Sequence, residues 1–295
     1  KSNHSHDHCP MILSFHPCLD ADMQVILGDQ ALGPSHLQAI LKAAAIILPQ
    51  ACPQELYKVC ARSRAHVFPH YGARMRYPGK VGQHGLFQEF ALPCPQTRCW
   101  KGVRHFEQAG LCSGRLAHEF PFLIKQDLTH EGEGVFFIED QVRLNKTLEY
   151  LRVRERSGPR AFVSQDYVPC QGNALRAVIV GKQTLTYWKR PRSSQEVITT
   201  ISRGAGVDHH WRPDLQAKGR RQARLLSEKT GINLAAVDYV FPLDAGYPDP
   251  LILEINYYFG RRGLGGSEAY YGFLYAAVRE WLEECGLDPD GVRLV

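Results

Sequence analysis

The sequence lacks most of the features that assign a protein quickly to a common class. Its nine cysteines are scattered without a Cys-x-x-Cys pair, so neither a disulfide framework nor a zinc site is expected, and reduced cysteines favour a cytoplasmic protein. No apolar run reaches the roughly 18–20 residues that would cross a bilayer. The Walker motif Gly-x-x-x-x-Gly-Lys-Ser/Thr and the dinucleotide motif Gly-x-Gly-x-x-Gly are absent, as are internal repeats and low-complexity segments.

What is present is an ordinary globular composition with a mild excess of positive charge. Of 295 residues, 44% are hydrophobic and 22% charged, and the net charge is +5 with a pI of about 8.7. This charge suits an anionic ligand such as a nucleotide, but it is too weak to indicate nucleic acid. The densest basic stretch, 218–224, is typical of the solvated face of a helix. We therefore expect neither a nucleic-acid nor a membrane partner.

The order of apolar segments predicts an α/β protein with two parts. Strands alternate with helices over residues 11–75, which predicts a small parallel α/β domain. A helical connector follows at 80–91. The later part is predicted to contain strands at 120–125, 135–138, 161–165, 175–180 and 183–188, and helices at 144–154, 212–230 and 268–284. Gly181-Lys182 would form the turn between two of these strands, and Gly231 would end the basic helix.

Three oxygen-bearing side chains lie in two apolar segments on either side of the turn-rich residues 242–249. If this is an antiparallel hairpin centred on Gly246, Asp238 lies directly opposite Glu254, and alternation puts Glu254 and Asn256 on one face. Two neighbouring carboxylates need a cation or a shared proton between them. Because Mg²⁺ commonly binds one or two carboxylates together with substrate phosphates, a Mg²⁺ site is predicted, with Mn²⁺ as an alternative. Polar residues of an edge strand would give the same pattern.

Two weaker patterns suggest contacts to phosphate and to adenine. Lys125 ends an apolar strand, and it is followed by Gly132, Glu133 and Gly134; glycines allow backbone N–H groups to approach a phosphate closely. Taken alone, this pattern is more typical of an ordinary hairpin turn. The extended segment 165–168 precedes a proline and can offer backbone groups to an adenine edge.

Together, the order and spacing of these blocks resemble the ATP-grasp superfamily, and within it the branch that contains ribosomal-protein glutamate ligase (RimK) and glutathione synthetase. The resemblance extends from about residue 76 to 284 and rests on the blocks 121–135, 165–181, 203–206 and 231–256. It implies an α/β ATP-grasp fold, in which a small parallel α/β domain precedes two lobes that clamp ATP. The implied boundaries are a flexible leader or cloning remnant at 1–10, the N-terminal domain with connector at 11–100, and lobes at 101–168 and 169–295.

The resemblance also implies roles for individual residues. It assigns ATP binding to Lys80, Lys125, Gly132, Glu133, Gly134, Gln165, Asp166, Tyr167, Val168 and Asn173. It places Arg176 and Arg190 near the reacting phosphoryl group or the acceptor, with Arg203 as a further catalytic candidate. The metal ligands would be Asp238, Glu254 and Asn256.

Some positions depart from the pattern of the superfamily. Ala174 stands where an acidic residue usually contacts the nucleotide, and Ile198 and Thr200 replace an arginine and an asparagine. Phe259-Gly260 replaces Pro-Gly. Arg203, Arg261 or Arg262 could compensate. The departures fall in the part of the site that would bind the substrates.

Three functions follow from these observations. The first is an ADP-forming ligase that activates a carboxylate with Mg²⁺ and ATP for attack by an amine, with small molecules or peptides as substrates; a homodimer is compatible with it. The second is a catalytically altered nucleotide-binding or regulatory protein on the same scaffold. The third is a phosphotransferase, whose product would be a phosphorylated acceptor without an amide. Scaffold similarity does not decide between them, because function depends on the site.

Overall fold

The computed structural model describes residues 10–113, 117–129, 134–158, 160–192, 204–242 and 249–295. The first elements in the chain are β1 (Ile12–Ser14), β2 (Leu19–Asp20), β3 (Met23–Gln24), α1 (Pro34–Lys42), β4 (Ala45–Ile47), α2 (Gln54–Arg62) and β5 (His66–Phe68). Four of these strands form a sheet in the order β3-β1-β4-β5, and every pair is parallel. This confirms the predicted parallel α/β domain.

A second sheet follows two connecting helices. The elements are α3 (Gly72–Arg76), α4 (Gly79–Glu89), β6 (Thr97–Trp100), α5 (Val103–Ser113), β7 (Phe122–Gln126), β8 (Val135–Ile138), α6 (Gln141–Glu155) and β9 (Phe162–Asp166). The sheet order is β6-β9-β7-β8, and all pairs are antiparallel. Because Thr97 pairs with Gln165, this lobe begins before residue 101, the boundary implied by the sequence.

The helices α5 and α6 cover one face of the second sheet. Trp100, Phe106, Ile124, Leu144 and Phe162 belong to the buried core on that side. Side chains alternate along a strand, so the neighbouring residues of β7 and β9 point to the opposite face. Because α5 and α6 cover only one face of this sheet, its opposite face is available for contact with the rest of the molecule.

The third sheet is the largest. The strands and α-helices from here to the end of the chain are β10 (Ala174–Val180), β11 (Gln183–Arg190), β12 (Gly206–Asp208), α7 (Pro213–Thr230), β13 (Leu234–Val240), β14 (Leu251–Asn256), α8 (Ser267–Glu284) and β15 (Arg293–Leu294). The strands β10 to β14 form the sheet. The order is β12-β11-β10-β13-β14, and all pairs are antiparallel. As predicted, Gly181-Lys182 forms the turn between β10 and β11, and Gly231 ends α7 with a φ of 72°.

Each face of this sheet is covered by one long helix. On one face α7 packs closely, because a Cβ atom at Gly219 would lie only 2.3 Å from Leu175. On the other face α8 packs together with residues of the N-terminal sheet, such as Ile47 and Phe68. The terminal strand β15 pairs with β2 and so ties the end of the chain to the N-terminal part. Among the described residues, no helix has the length and apolar character that a membrane span requires.

Candidate functional site

The register between β13 and β14 places the first candidate residues together. Asp238 lies directly opposite Glu254, which confirms the predicted hairpin register, and the pairing shifts at a bulge after Asp238. Asn256 donates from Nδ2 to Glu254 Oε1 at 3.1 Å and to Asp238 Oδ2 at 3.4 Å. The three predicted metal ligands therefore share one face at the edge of the sheet.

Asp238 is engaged by two cations from the neighbouring strands. Arg176 donates to both carboxylate oxygens, from Nε and Nη2 at 2.8 Å each, and Lys189 Nζ donates to Oδ2 at 2.8 Å. Burial would raise the pKa of Asp238, which is only 2% exposed, but the charges of Arg176 and Lys189 outweigh it and hold the pKa far below its usual range. The carboxylate is therefore ionised and fully hydrogen-bonded within the protein.

The donor set suits magnesium only in part. Two carboxylates and an amide are ligands that Mg²⁺ accepts alongside phosphate oxygens. Asp238, however, could bind a metal only if one of its cations moved away, whereas Glu254 has no such ion pair among the described residues. Across the described part of the chain, no group of three or more His, Cys, Asp and Glu side chains is arranged to hold a metal. Glu254 and Asn256 are thus the residues that fit the ion best.

Lys125 supplies a buried positive charge from the first lobe. Its Nζ donates to Gln165 Oε1 at 2.6 Å, and Gln165 Nε2 donates to Thr97 Oγ1 at 2.8 Å, so three strands hold the ammonium in place. Burial is the main reason that the pKa of Lys125 is lowered to about 8; Lys80 acts in the same direction, whereas the charges of Glu254 and Asp238 oppose it. The ammonium has a neutral hydrogen-bond partner and lies within the electrostatic influence of Glu254.

Lys80 lies at the start of α4, next to the same cleft. Its Nζ donates to the backbone oxygen and to Oγ1 of Thr129, at 2.7 and 3.1 Å, and its backbone N–H donates to Asp127 Oδ1. Burial lowers the pKa of Lys80, and Glu254 and Asp127 partly offset this effect. Lys80, Lys125 and Glu254 together line a narrow cleft between the first lobe and β14.

The predicted adenine segment is divided between the two faces of the first-lobe sheet. Gln165 points into the cleft, and the ring of Tyr167 packs 5.0 Å from that of Phe137 on the same face. Asp166 points to the opposite face, where its carboxylate lies 2.5 Å from His118 Nδ1. Val168 follows directly after Tyr167. Any contact of Asp166 with a ligand in the cleft would therefore involve its backbone and not its side chain.

Other predicted nucleotide contacts lie at the margin or beyond the described residues. Gly134 has a φ of 64° and packs tightly on Gln126, where a Cβ atom would lie 2.7 Å from Oε1, so it closes the hairpin between β7 and β8. Gly132 and Glu133 lie outside the described residues, as does Arg203. Asn173 belongs to a turn before β10, where its amide donates to Cys170 O at 3.2 Å. It does not line the cleft with Lys125 and Glu254.

Arg190 is not part of this cluster, in contrast to the sequence-based expectation. The turn at 181–182 pairs Arg176 with Tyr187, so Lys189 shares the face of Arg176 and Arg190 points to the other face. There, Arg190 Nη1 donates to Asp208 at 3.1 Å, and its guanidinium carbon lies 4.5 Å from the centre of the Trp211 ring. Lys189 is thus the cation that the sequence reasoning missed, although strand alternation from the same turn would have identified it.

The fold matches that of solved ATP-grasp proteins, which confirms the ATP-grasp fold expected from the sequence. No protein-family model matches the chain, and no curated protein matches its sequence. A solved RimK-domain ATP-grasp protein from Sphaerobacter thermophilus is similar at a TM-score of 0.59 with 18% identity, over 85% of this chain and 88% of that one.

Two further solved structures have the same fold at lower coverage of their own length. N5-carboxyaminoimidazole synthetase from Staphylococcus aureus, complexed with ADP, has a TM-score of 0.57 and 14% identity over 86% of this chain and 65% of that one. The VanG D-Ala:D-Ser ligase from Enterococcus faecalis has a TM-score of 0.52 and 13% identity over 73% and 64%. The chain spans less than two thirds of these two proteins. At such identities the similarity concerns the fold, and the activity has to be argued from the site.

Proposed function

We propose that the protein is an ATP-dependent ligase that activates a carboxylate as an acyl phosphate and joins it to an amine. The observation that carries the proposal is the cleft in which Lys80 and Lys125 of one side face Glu254 of the other. The similar structures support it, since one is a D-Ala:D-Ser ligase and another was solved with ADP. A homodimer and a cytoplasmic location stay predictions.

The charges around the cleft suit a polyphosphate. The cluster contains four cations: Lys80, Lys125, Arg176 and Lys189. The carboxylates with which they interact are three: Asp127, Asp238 and Glu254. Cations therefore outnumber carboxylates in this cluster, and a closed low-dielectric cleft strengthens their attraction for an anion. Glu254 and Asn256 would hold Mg²⁺, which would neutralise charge on the transferring phosphate.

The residues have separate tasks in the proposed reaction. A carboxylate oxygen of the substrate attacks the terminal phosphorus of ATP, and ADP leaves. The amine nitrogen then attacks the acyl carbon, phosphate leaves, and the amine loses a proton. Lys80 and Lys125 would bind the phosphates of ATP, and Arg176 with Lys189 would stabilise negative charge on the acyl phosphate. Closure of the lobes would exclude water from this reactive intermediate.

The test is ADP and phosphate release with Mg²⁺, ATP and a panel of acids and amines. An acid–amine pair should raise ADP release and yield an amide. Glu254→Gln should weaken Mg²⁺-ATP binding at least tenfold, the lower end of losses seen even for residues that support metal ligands indirectly. Glu228→Gln, which removes an exposed carboxylate of α7, is the matched control and should leave the affinity unchanged. Tight binding without turnover by any pair would contradict the ligase.

The second candidate is a nucleotide-binding or regulatory protein. Its specific support is that Asp238 is already paired with Lys189, and that Lys189 lies opposite Ala174 in the sheet. An acidic residue at position 174 would offer Lys189 another partner and so release Asp238 for a metal. An ADP-forming ligation would rule this candidate out, and a phosphorylated acceptor without an amide would indicate the phosphotransferase instead.

A further inference from the structure

A second cavity adjoins the cleft and has the dimensions of a small-molecule site. It has a volume of about 390 Å³ and lies where α3 and the start of α4 meet the end of β14. Lys80, Glu254 and Asn256 line it, and these are the residues to which the proposed function assigns the phosphate and the metal. A molecule in this cavity would therefore lie against the reacting phosphate.

Arg74 on α3 contributes a cation to another wall of the cavity. Its Nη1 donates to Gln50 O at 3.3 Å, and its guanidinium carbon lies 5.1 Å from the centre of the Tyr71 ring. It forms no ion pair with any residue that the structure describes. Because a guanidinium has five N–H donors, several remain to bind an anion in a two-pronged manner.

The surface between these polar groups is largely apolar and aromatic. Met75, Tyr77, Ile255 and Tyr257 line it. Tyr77 directs its hydroxyl to Glu89 at 2.5 Å, and burial raises the pKa of the Tyr257 hydroxyl far above its usual value. These rings therefore offer apolar surface to a ligand, and no second negative charge next to Arg74.

From this arrangement we infer that the cavity binds the acid substrate and that Arg74 selects an acid with a second anionic group. The inference rests on the proposed function. The reacting carboxylate would lie beside Glu254 and its metal, a short carbon chain would contact the tyrosines, and a distal carboxylate or phosphate-like group would bind Arg74. Arg74 is then a specificity-determining residue and takes no part in the transfer of the phosphoryl group.

The test compares acids of matched length on protein saturated with Mg²⁺ and a non-hydrolysable ATP analogue. Glutarate and 4-phosphonobutyrate carry a distal anion, whereas pentanoate does not. In calorimetry, at least one of the first two acids should bind at least tenfold more tightly than pentanoate. Whichever of the two binds more tightly identifies the distal group. Arg74→Gln should abolish the preference. Arg76→Gln is the matched control, because Arg76 lies on the same helix, is exposed, and pairs with Glu89 outside the cavity.

The outcomes separate this inference from the proposed function. Failure of the wild-type protein to bind the ATP analogue would contradict the proposed function. Normal nucleotide binding with an equal response to the three acids, or with no response to any, would contradict the role of Arg74. The wild-type comparison stands even if R74Q does not fold. In that case R74K, which keeps the charge but loses the planar fork, should retain only part of the preference.

Discussion

Lys125 in the first lobe and Asp238 in the second are both buried charged groups at the cleft, but their partners differ in kind. Lys125 donates to the neutral amide oxygen of Gln165, and burial lowers its pKa to about 8. Asp238 accepts hydrogen bonds from Arg176 and Lys189, whose charges keep its pKa far below the usual range despite burial. Within the described part of the chain, Lys125 has no carboxylate at bonding distance, whereas Asp238 has two cationic partners.

This difference indicates what each half of the site still needs. An isolated buried cation is costly, and an incoming phosphate would recover part of that cost. A buried carboxylate with two cationic partners is already satisfied, so it contributes to the structure before any ligand arrives. The first lobe is thus arranged to receive an anion, while the second lobe holds two cations in place by means of Asp238.

The largest expected effect comes from removing the charge of Asp238. Asp238→Asn would leave Arg176 and Lys189 buried without their counter-ion, and breaking a buried pair in this way typically costs about 3–5 kcal/mol. Urea unfolding should show this loss in the free energy of unfolding without any ligand. Asp290→Asn is the control, because Asp290 pairs with Arg279 at the surface, where such pairs contribute about 1 kcal/mol or less. A loss as small as that of the control would mean that Asp238 serves mainly a ligand.

Lys125 should show the opposite behaviour, because its burial opposes folding. The unfolded chain keeps the proton of Lys125 up to a pKa near 10.5, whereas the folded protein releases it near 8. Between these values the unfolded state binds more protons, so stability gains from this group as the pH rises. Lys125→Met should therefore have its largest advantage over the wild type, in free energy of unfolding, at pH 7. This advantage should shrink by about 3 kcal/mol between pH 7 and 10.5.

The control is Lys58→Met, for which the difference in unfolding free energy from the wild type is measured over the same pH range. Lys58 is an exposed residue that pairs with Glu55 on α2, so its removal should give a difference that is flat across this pH range. A flat difference for Lys125→Met as well would show that Lys125 is not desolvated in the folded protein. The contrast between Lys125 and Asp238 would then not hold, because Lys125 would not be a buried charge with a cost of desolvation.

The sequence predicted the parts of the site that depend on local periodicity. Alternation and a turn centred on Gly246 were sufficient to place Asp238 opposite Glu254. The turn at 181–182 contained the same kind of information, and it would have selected Lys189 over Arg190 for the face of Arg176. Both conclusions need only a two-residue period and one fixed turn.

The sequence could not predict which partner each charged side chain would choose. Arg176 meets Asp238 because β10 pairs with β13, and the two residues are 62 positions apart in the chain. The local pattern that indicates a metal ligand at Asp238 contains no information on this long-range pairing. The short strand β6 was also missed, because it follows the proline-containing residues 93–95 and its place in the sheet depends on pairing with β9.

The smallest expected effect is a change of ATP affinity with pH, and it connects the buried cation directly to the proposed ligand. If the phosphates of ATP bind the protonated form of Lys125, affinity should fall as the pH rises above the pKa of about 8 in the free protein. Between pH 7 and 9 the protonated fraction of such a group falls roughly tenfold, so the dissociation constant for Mg²⁺-ATP should rise by about that factor. Lys125→Arg keeps its charge over this range, and it should show a much flatter profile, which also corrects for the titration of ATP itself. Parallel profiles for the two proteins would separate Lys125 from nucleotide binding. The buried charge of Lys125 would then need an explanation other than ATP.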